Sequence, residues 1–138
     1  MPRKDVLHEV VKRALVKDGW VITHDPLHIE FGGVEFDVDL GAEELIGAKK
    51  DGRKIAVEVK SFITASPVSE FHTAVGQFLN YRLALAETEP ERILYLAVPK
   101  GIYVRLFERT FGRLAIQVYQ IKVIVFDDQQ EVIVQWLD

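Results

Sequence analysis

The sequence contains no cysteine. That excludes disulfide staples, zinc–thiolate centres and thiol nucleophiles, and it is compatible with a reducing compartment. No apolar run approaches the ~20 residues that span a bilayer. The opening residues, MPRKDVLHEVVKR, lack the apolar core of a signal peptide. A cytoplasmic protein without membrane contact is therefore expected. Internal repeats and low-complexity segments are also missing. So is an excess of positive charge: 17 Lys and Arg against 21 Asp and Glu leave a net charge of −4. Such a balance argues against a chain held on nucleic acid by bulk charge alone, but it leaves room for a nuclease whose site is itself acidic. What is present is apolar. Hydrophobic residues make up 49% of 138, enough for one folded domain over 1–138 with one core.

Positive residues cluster twice, at Arg3, Lys4, Lys12, Arg13 and Lys17, and at Lys49, Lys50, Arg53 and Lys54. The second group brackets Asp51-Gly52, a hairpin-turn signal. A basic hairpin tip can rest on phosphates, and a solvated turn is the plainer reading.

The stretch Arg53–Ile63, RKIAVEVKSFI, reads as a strand with Ile55, Val57 and Val59 on one face and Ala56, Glu58 and Lys60 on the other. Glu58 and Lys60 thus project side by side. A carboxylate beside an ammonium suits phosphodiester hydrolysis: one holds a divalent cation, the other orients water and offsets phosphate charge. The commoner cause of such a pair is a solvated face with a cross-strand ion pair.

Around it the chain alternates between helix and strand signals. Lys4–Asp18 predicts a helix with the apolar stripe Leu7, Val10, Val11, Ala14 and Leu15, Asp5 near its start, Lys17 near its end and Gly19 as C-cap. Glu9 lies opposite the stripe and reads as solvent-facing; His8 lies on its flank. Trp20–His24 is a strand, broken by Asp25-Pro26. Gly32-Gly33 makes a turn. Val34–Leu40 then alternates, with Val34, Phe36, Val38 and Leu40 on one face and Glu35, Asp37 and Asp39 on the other. Three carboxylates in a row repel unless solvated or bound to a cation. Gly41-Ala42 interrupts, and Leu45–Lys50 is expected to pair with Arg53–Lys60. A two-residue turn then places Leu45 opposite Glu58, with Glu43 and Glu44 near Lys60. Ser66-Pro67 starts a helix running to about Glu87, with Gln77 and Tyr81 four apart on one face. Arg92–Val98 is a strand covered on both faces. Ile102–Gln120 reads as one or two short helices broken near Gly112. Ile121–Phe126 and Val132–Trp136 form a hairpin joined by Asp127–Glu131. The class is α/β, helices on a mixed sheet.

The order α-β-β-β-α-β, with an acid-rich strand before Glu58-Val59-Lys60, resembles the PD-(D/E)xK nuclease-like superfamily, whose core is αβββαβ. Gln77-Phe-Leu-Asn-Tyr81 is similar to the Gln-x-x-x-Tyr element of its RecB-like members. A closer resemblance covers nearly the whole chain. Asp18-Gly-Trp20, Thr23-His-Asp25-Pro26, Asp39-Leu-Gly-Ala-Glu43, Val57-Glu-Val-Lys-Ser-Phe62, Glu87-Thr-Glu-Pro-Glu-Arg92 and Val134-Gln-Trp136 look like the XisH family, cyanobacterial proteins named fdxN element excision controlling factors.

That resemblance implies a restriction-endonuclease-like core with an added C-terminal β-hairpin. It implies a role in excising a DNA element during heterocyst development, beside a site-specific recombinase and a XisI-type partner. By the superfamily pattern Glu58 would be a metal ligand and Lys60 the charged orienter. Asp39 would be the second carboxylate, with Glu43 the alternative. Gln77 and Tyr81 would support the site, and Glu9 stands where some relatives carry an acid on the first helix. Asp25-Pro26 lies far from Glu58, so the preceding-strand motif is not a literal Pro-Asp. The cofactor implied is Mg²⁺ or Mn²⁺, since every candidate ligand is oxygen. Two other classes stand beside a nuclease. One is a non-catalytic regulator that binds DNA, the recombinase or the XisI-type protein, for which an exposed Trp136, Phe126 or Phe111 would provide an interface. The other is a charged pair that only sets strand register in a homo-oligomer.

Overall fold

A computed structural model describes residues 4–44, 52–63 and 66–138, with side chains from Val6 onward. In chain order the elements are α1 (Lys4–Lys17), β1 (Trp20–His24), β2 (Leu27–Phe31), β3 (Val34–Val38), β4 (Leu40–Glu44) and β5 (Lys54–Val59). Then follow α2 (Pro67–Thr88), β6 (Arg92–Pro99) and the short α3 (Lys100–Ile102), which runs into a π-helical turn over Tyr103–Phe107. The chain closes with α4 (Thr110–Val118), β7 (Val123–Asp127) and β8 (Val132–Leu137). The segment Leu45–Lys50, the tip around Asp51, Arg3 and the Asp5 side chain lie outside the described residues.

Six strands form one mixed sheet in the order β1-β4-β5-β6-β7-β8, and β2 pairs with β3 in a separate hairpin. β5, β6 and β7 run parallel, while β1, β4 and β8 join antiparallel, β8 closing a C-terminal hairpin with β7. Period-2 alternation sends Ile55, Val57, Val59, Tyr95, Ala97, Ile124 and Phe126 into the core under α1. It sends Ala56, Leu94, Leu96, Val98, Val123 and Val125 into the core under α2 and α4. The α1 stripe Leu7, Val10, Val11, Ala14 and Leu15 is buried as its spacing predicts, and Gly19 ends the helix at φ +94°. Ser66 caps α2 by accepting from the Ser69 N–H (3.2 Å). No helix among the described residues is long and apolar enough to cross a membrane.

Three expectations are corrected. Val34–Leu40 is not one strand. It divides at Asp39, so Val38 joins the α2 core and Leu40 the α1 core, while Val34 is exposed. Alternation alone cannot reveal that break, because β3 leaves the sheet to pair only with β2. Nor does Gly41-Ala42 interrupt: both lie within β4, opposite Ala56 and Ile55. A Cβ at Gly41 would stand 3.0 Å from the His24 ring, so the sheet admits only glycine there without adjustment. Finally, the helical break falls at Glu108-Arg109 rather than Gly112, which sits inside α4 and lets it pack onto the preceding π-helical turn.

The β7–β8 turn is tied by Asp127, which accepts from Lys100 (2.9 Å) and from the Gln129 and Gln130 N–H groups. Lys100 chiefly, and then these backbone donors, hold its carboxyl at a pKa of about 2. A folded-state pKa below the unfolded value gives stability that is present above pH ~4 and lost as pH falls toward 2. Acid unfolding of Asp127→Asn is therefore expected to show a weaker pH dependence over that window than the parent; equal slopes would contradict it.

Candidate functional site

The site is built on β5. Because Val57 and Val59 enter the α1 core, Glu58 between them must face α2. Lys60 follows on the same side, just past the strand, where its N–H still donates to the Ala97 carbonyl (2.9 Å). Both side chains are buried, Glu58 at 5% and Lys60 at 6% exposure. Lys60 Nζ lies 3.7 Å from Glu58 Oε2. Taking two charges out of water costs several kcal/mol per ion, roughly what their attraction returns. Such a pair is a poor stabiliser, which favours a chemical reason for its presence.

Asp39 reaches this pair from the bend between β3 and β4. Its N–H donates to Glu58 Oε1 (3.2 Å), and its Oδ2 accepts the Val59 N–H (2.8 Å). Each carboxylate is thereby oriented by the other's neighbouring backbone. Two carboxylates held beside the single Lys60 ammonium leave net negative charge there, which suits a cation.

α2 closes the other side. Tyr81 is 8% exposed, and the Phe36 ring meets it edge-on at 5.9 Å. Burial first, and then the charges of Glu58, Asp39 and Asp37, push the phenol up to about 12. It stays protonated and keeps a hydrogen to donate. Gln77 stands one turn before Tyr81 and Glu70 two turns before Gln77, so the three share one helix face. Gln77 Oε1 and Glu70 Oε2 are buried with no hydrogen-bond partner among the described residues. A buried oxygen without a donor costs about 1–3 kcal/mol, so the Gln77 oxygen, one turn from Tyr81, calls for a donor or a cation.

The structure therefore brings Asp39, Glu58, Lys60 and Tyr81 together and sets Gln77 on the same face of the covering helix. It does not bring in Glu43. β4 pairs in a register that sets Glu43 opposite Lys54, at the other end of β5, with their charged atoms 4.0 Å apart. Glu44 pairs with Arg53. The expected two-residue turn placed both near Lys60, but β4 is already paired from Leu40, so that register is lost. Glu9 is exposed, pairs with Lys12 (3.6 Å) and belongs to the helix on the opposite sheet face. Glu35 and Asp37, expected beside Asp39, turn outward to His28 instead. Of the three aromatics considered for an interface, Phe126 is buried. Trp136 is half-buried against Trp20 and Tyr95, and Phe111 is 60% exposed.

A family model described as XisH protein matches residues 1–134. The chain is similar to the crystal structure of an XisH family protein from Nostoc punctiforme PCC 73102, at 52% identity over 97% of this chain and 100% of that one, with a TM-score of 0.90. It is similar as well to that of an fdxN element excision controlling factor protein from Anabaena variabilis, at 52% identity over 98% of this chain and 100% of that one, with a TM-score of 0.89. No curated protein matches it.

Proposed function

The chain belongs to the XisH family, and from that membership we propose that it is a controlling factor in the site-specific excision of a DNA element, acting through a nuclease-like metal site that cuts or nicks DNA phosphodiesters. The role in excision is the one carried in the name of the Anabaena variabilis protein. The observation that carries the chemical half is the convergence of Asp39, Glu58 and Lys60. The topology supports it. With the β2–β3 hairpin set aside, the elements run α1, β1, β4, β5, α2, β6, the αβββαβ order of a restriction-endonuclease-like core, and Glu58-Val59-Lys60 stands at the end of its third sheet strand, Lys60 one residue beyond it.

Mg²⁺ or Mn²⁺ fits the donor set. The oxygens are those of the Asp39 and Glu58 carboxylates, with the orphaned Gln77 oxygen on the facing helix. Asp39 and Glu58 would hold the ion, leaving its other positions to water and phosphate. Once bound it would supply Lewis-acid polarisation of the phosphate and a more acidic water. Lys60 would orient an attacking water and offset charge on the phosphate. Tyr81 donates its retained proton to an oxygen in the site, and Gln77 contacts the substrate backbone.

Nicking of supercoiled plasmid with Mg²⁺ or Mn²⁺, absent in EDTA, is the expected result. Lys60→Ala should lower the rate by about a hundredfold. An unchanged rate in Lys60→Ala would remove the mechanism. No nicking and no Mn²⁺ uptake by calorimetry, together with a stable complex with a XisI-type protein or a recombinase, would decide for a non-catalytic regulator on the same fold.

A further inference from the structure

We propose that the exposed segment from Lys100 to Arg113, bordering the Glu58–Lys60 pair, is the surface on which DNA rests, with Arg105, Arg109 and Arg113 on phosphates and Phe111 against an unpaired base. The inference takes its choice of ligand from the DNA-processing reading above, but its evidence is separate.

Charge is the first observation. Within the segment Arg105, Arg109 and Arg113 stand against the single acid Glu108, a local charge of +2 in a chain of −4, Lys100 being paired with Asp127. Of the early basic cluster, Lys12 pairs with Asp25 and Arg13 with Glu131, so these two charges are already neutralised. Arg105, Arg109 and Arg113 are exposed and meet no carboxylate among the described residues. Position is the second. Phe62, two residues beyond Lys60, packs edge-on against Phe107 (5.7 Å). Phe71 meets Phe107 (5.6 Å) and Phe111 (5.8 Å). This chain of rings fixes the arginine-bearing segment beside the carboxyl end of β5, where the acids converge. Composition is the third. Phe111 lies between Arg109 and Arg113 and is 60% exposed, the alternation of cation and ring that binds strands with free bases. Leu114 and Val118 continue the exposed face, so a protein is the competing occupant. Unpaired guanidinium groups favour a polyanion over it.

The test is fluorescence anisotropy in EDTA with labelled blunt duplex and with duplex carrying a single-stranded tail. The triple variant R105Q/R109Q/R113Q should bind at least about tenfold more weakly and lose about 2–3 from the salt slope. Phe111→Ala should erase the preference for the tailed DNA, a change of about fivefold or more. These side chains are exposed, and circular dichroism verifies the fold. Wild-type affinity in the triple variant would overturn the proposal. So would failure of the parent to bind DNA, or loss of self-association or protein binding with DNA affinity intact. If the parent binds through these arginines yet never cuts, the surface stands and the nuclease reading falls. If it cuts and the triple variant still binds, the reverse holds.

Discussion

Glu58→Gln is expected to lower metal-dependent DNA cleavage by at least about a hundredfold while leaving the protein folded. The amide has the size of the carboxylate, and its carbonyl oxygen can still accept the Asp39 N–H that now reaches Glu58 Oε1. What disappears is the negative charge. Without it Asp39 would be left as the one carboxylate for a divalent ion, whose affinity rests on charged oxygen ligands. Two measurements separate this from unfolding. Mn²⁺ uptake by calorimetry should fall with the nicking rate, and circular dichroism should show the variant folded at the assay temperature, although its thermal midpoint drops as Lys60 loses its buried partner. A variant that nicks as the parent does would show that Glu58 does not hold the cation. A variant that loses activity only because it melts early would show that Glu58 serves the fold.

Gly112→Ala carries the largest expected effect on stability. A Cβ at Gly112 would lie 2.2 Å from the Leu106 carbonyl oxygen and 3.0 Å from Phe107 Cα. These are backbone atoms of the π-helical turn, which cannot swing aside as a flexible side chain would. Alanine within a helix gains about 1 kcal/mol over glycine. Overpacking costs about 1–3 kcal/mol and occasionally more, and a collision this deep with backbone belongs at the upper end. The net is a loss of about 2 kcal/mol, read as a fall of roughly 5–10 °C in the thermal midpoint. Gly76→Ala supplies the opposite sign. Gly76 lies on the exposed side of α2 with nothing within 4 Å of the added atom, so the helix-propensity gain of about 1 kcal/mol should stand alone. Equal shifts in the two variants would refute the close approach of α4 to the turn. The consequence reaches the surface proposed for DNA, because Phe107 of that turn holds the arginine-bearing segment against Phe62 and Phe71.

Several features were legible from the residues because local rules govern them. Period-2 alternation put Glu58 and Lys60 on one side of β5, and a spacing of four put Gln77 and Tyr81 on one side of α2. A Ser-Pro start and a stripe at helical spacing located α2 and α1. None of these requires knowing what lies across the sheet. The partner carboxylate is different. Asp39 and Glu43 are four residues apart and chemically similar, and each was a candidate. Glu43 lost because β4 begins pairing at Leu40, which carries it to the far end of β5. Asp39 prevailed because the chain bends there, its carboxylate binding the Val59 N–H. A bend made by a bond to a residue twenty positions away leaves no mark on local hydropathy. The helical break was misplaced for the same reason. Glycine reads as a breaker in isolation, whereas Gly112 is needed for a close contact with a turn that sequence does not reveal.

The chain alone determined its class, the strand that presents a carboxylate beside an ammonium, the helix face set against it and the family to which it is similar. These follow from short-range periodicity and from motif order, both of which are properties of the polymer as written. Which acid stands with Glu58, that Glu9 stays on the opposite sheet face, and that Phe107 of the arginine-bearing segment packs on Phe62 were settled only by the packed molecule. Strand register and helix docking depend on contacts between residues distant in sequence, and only the assembled core selects among them.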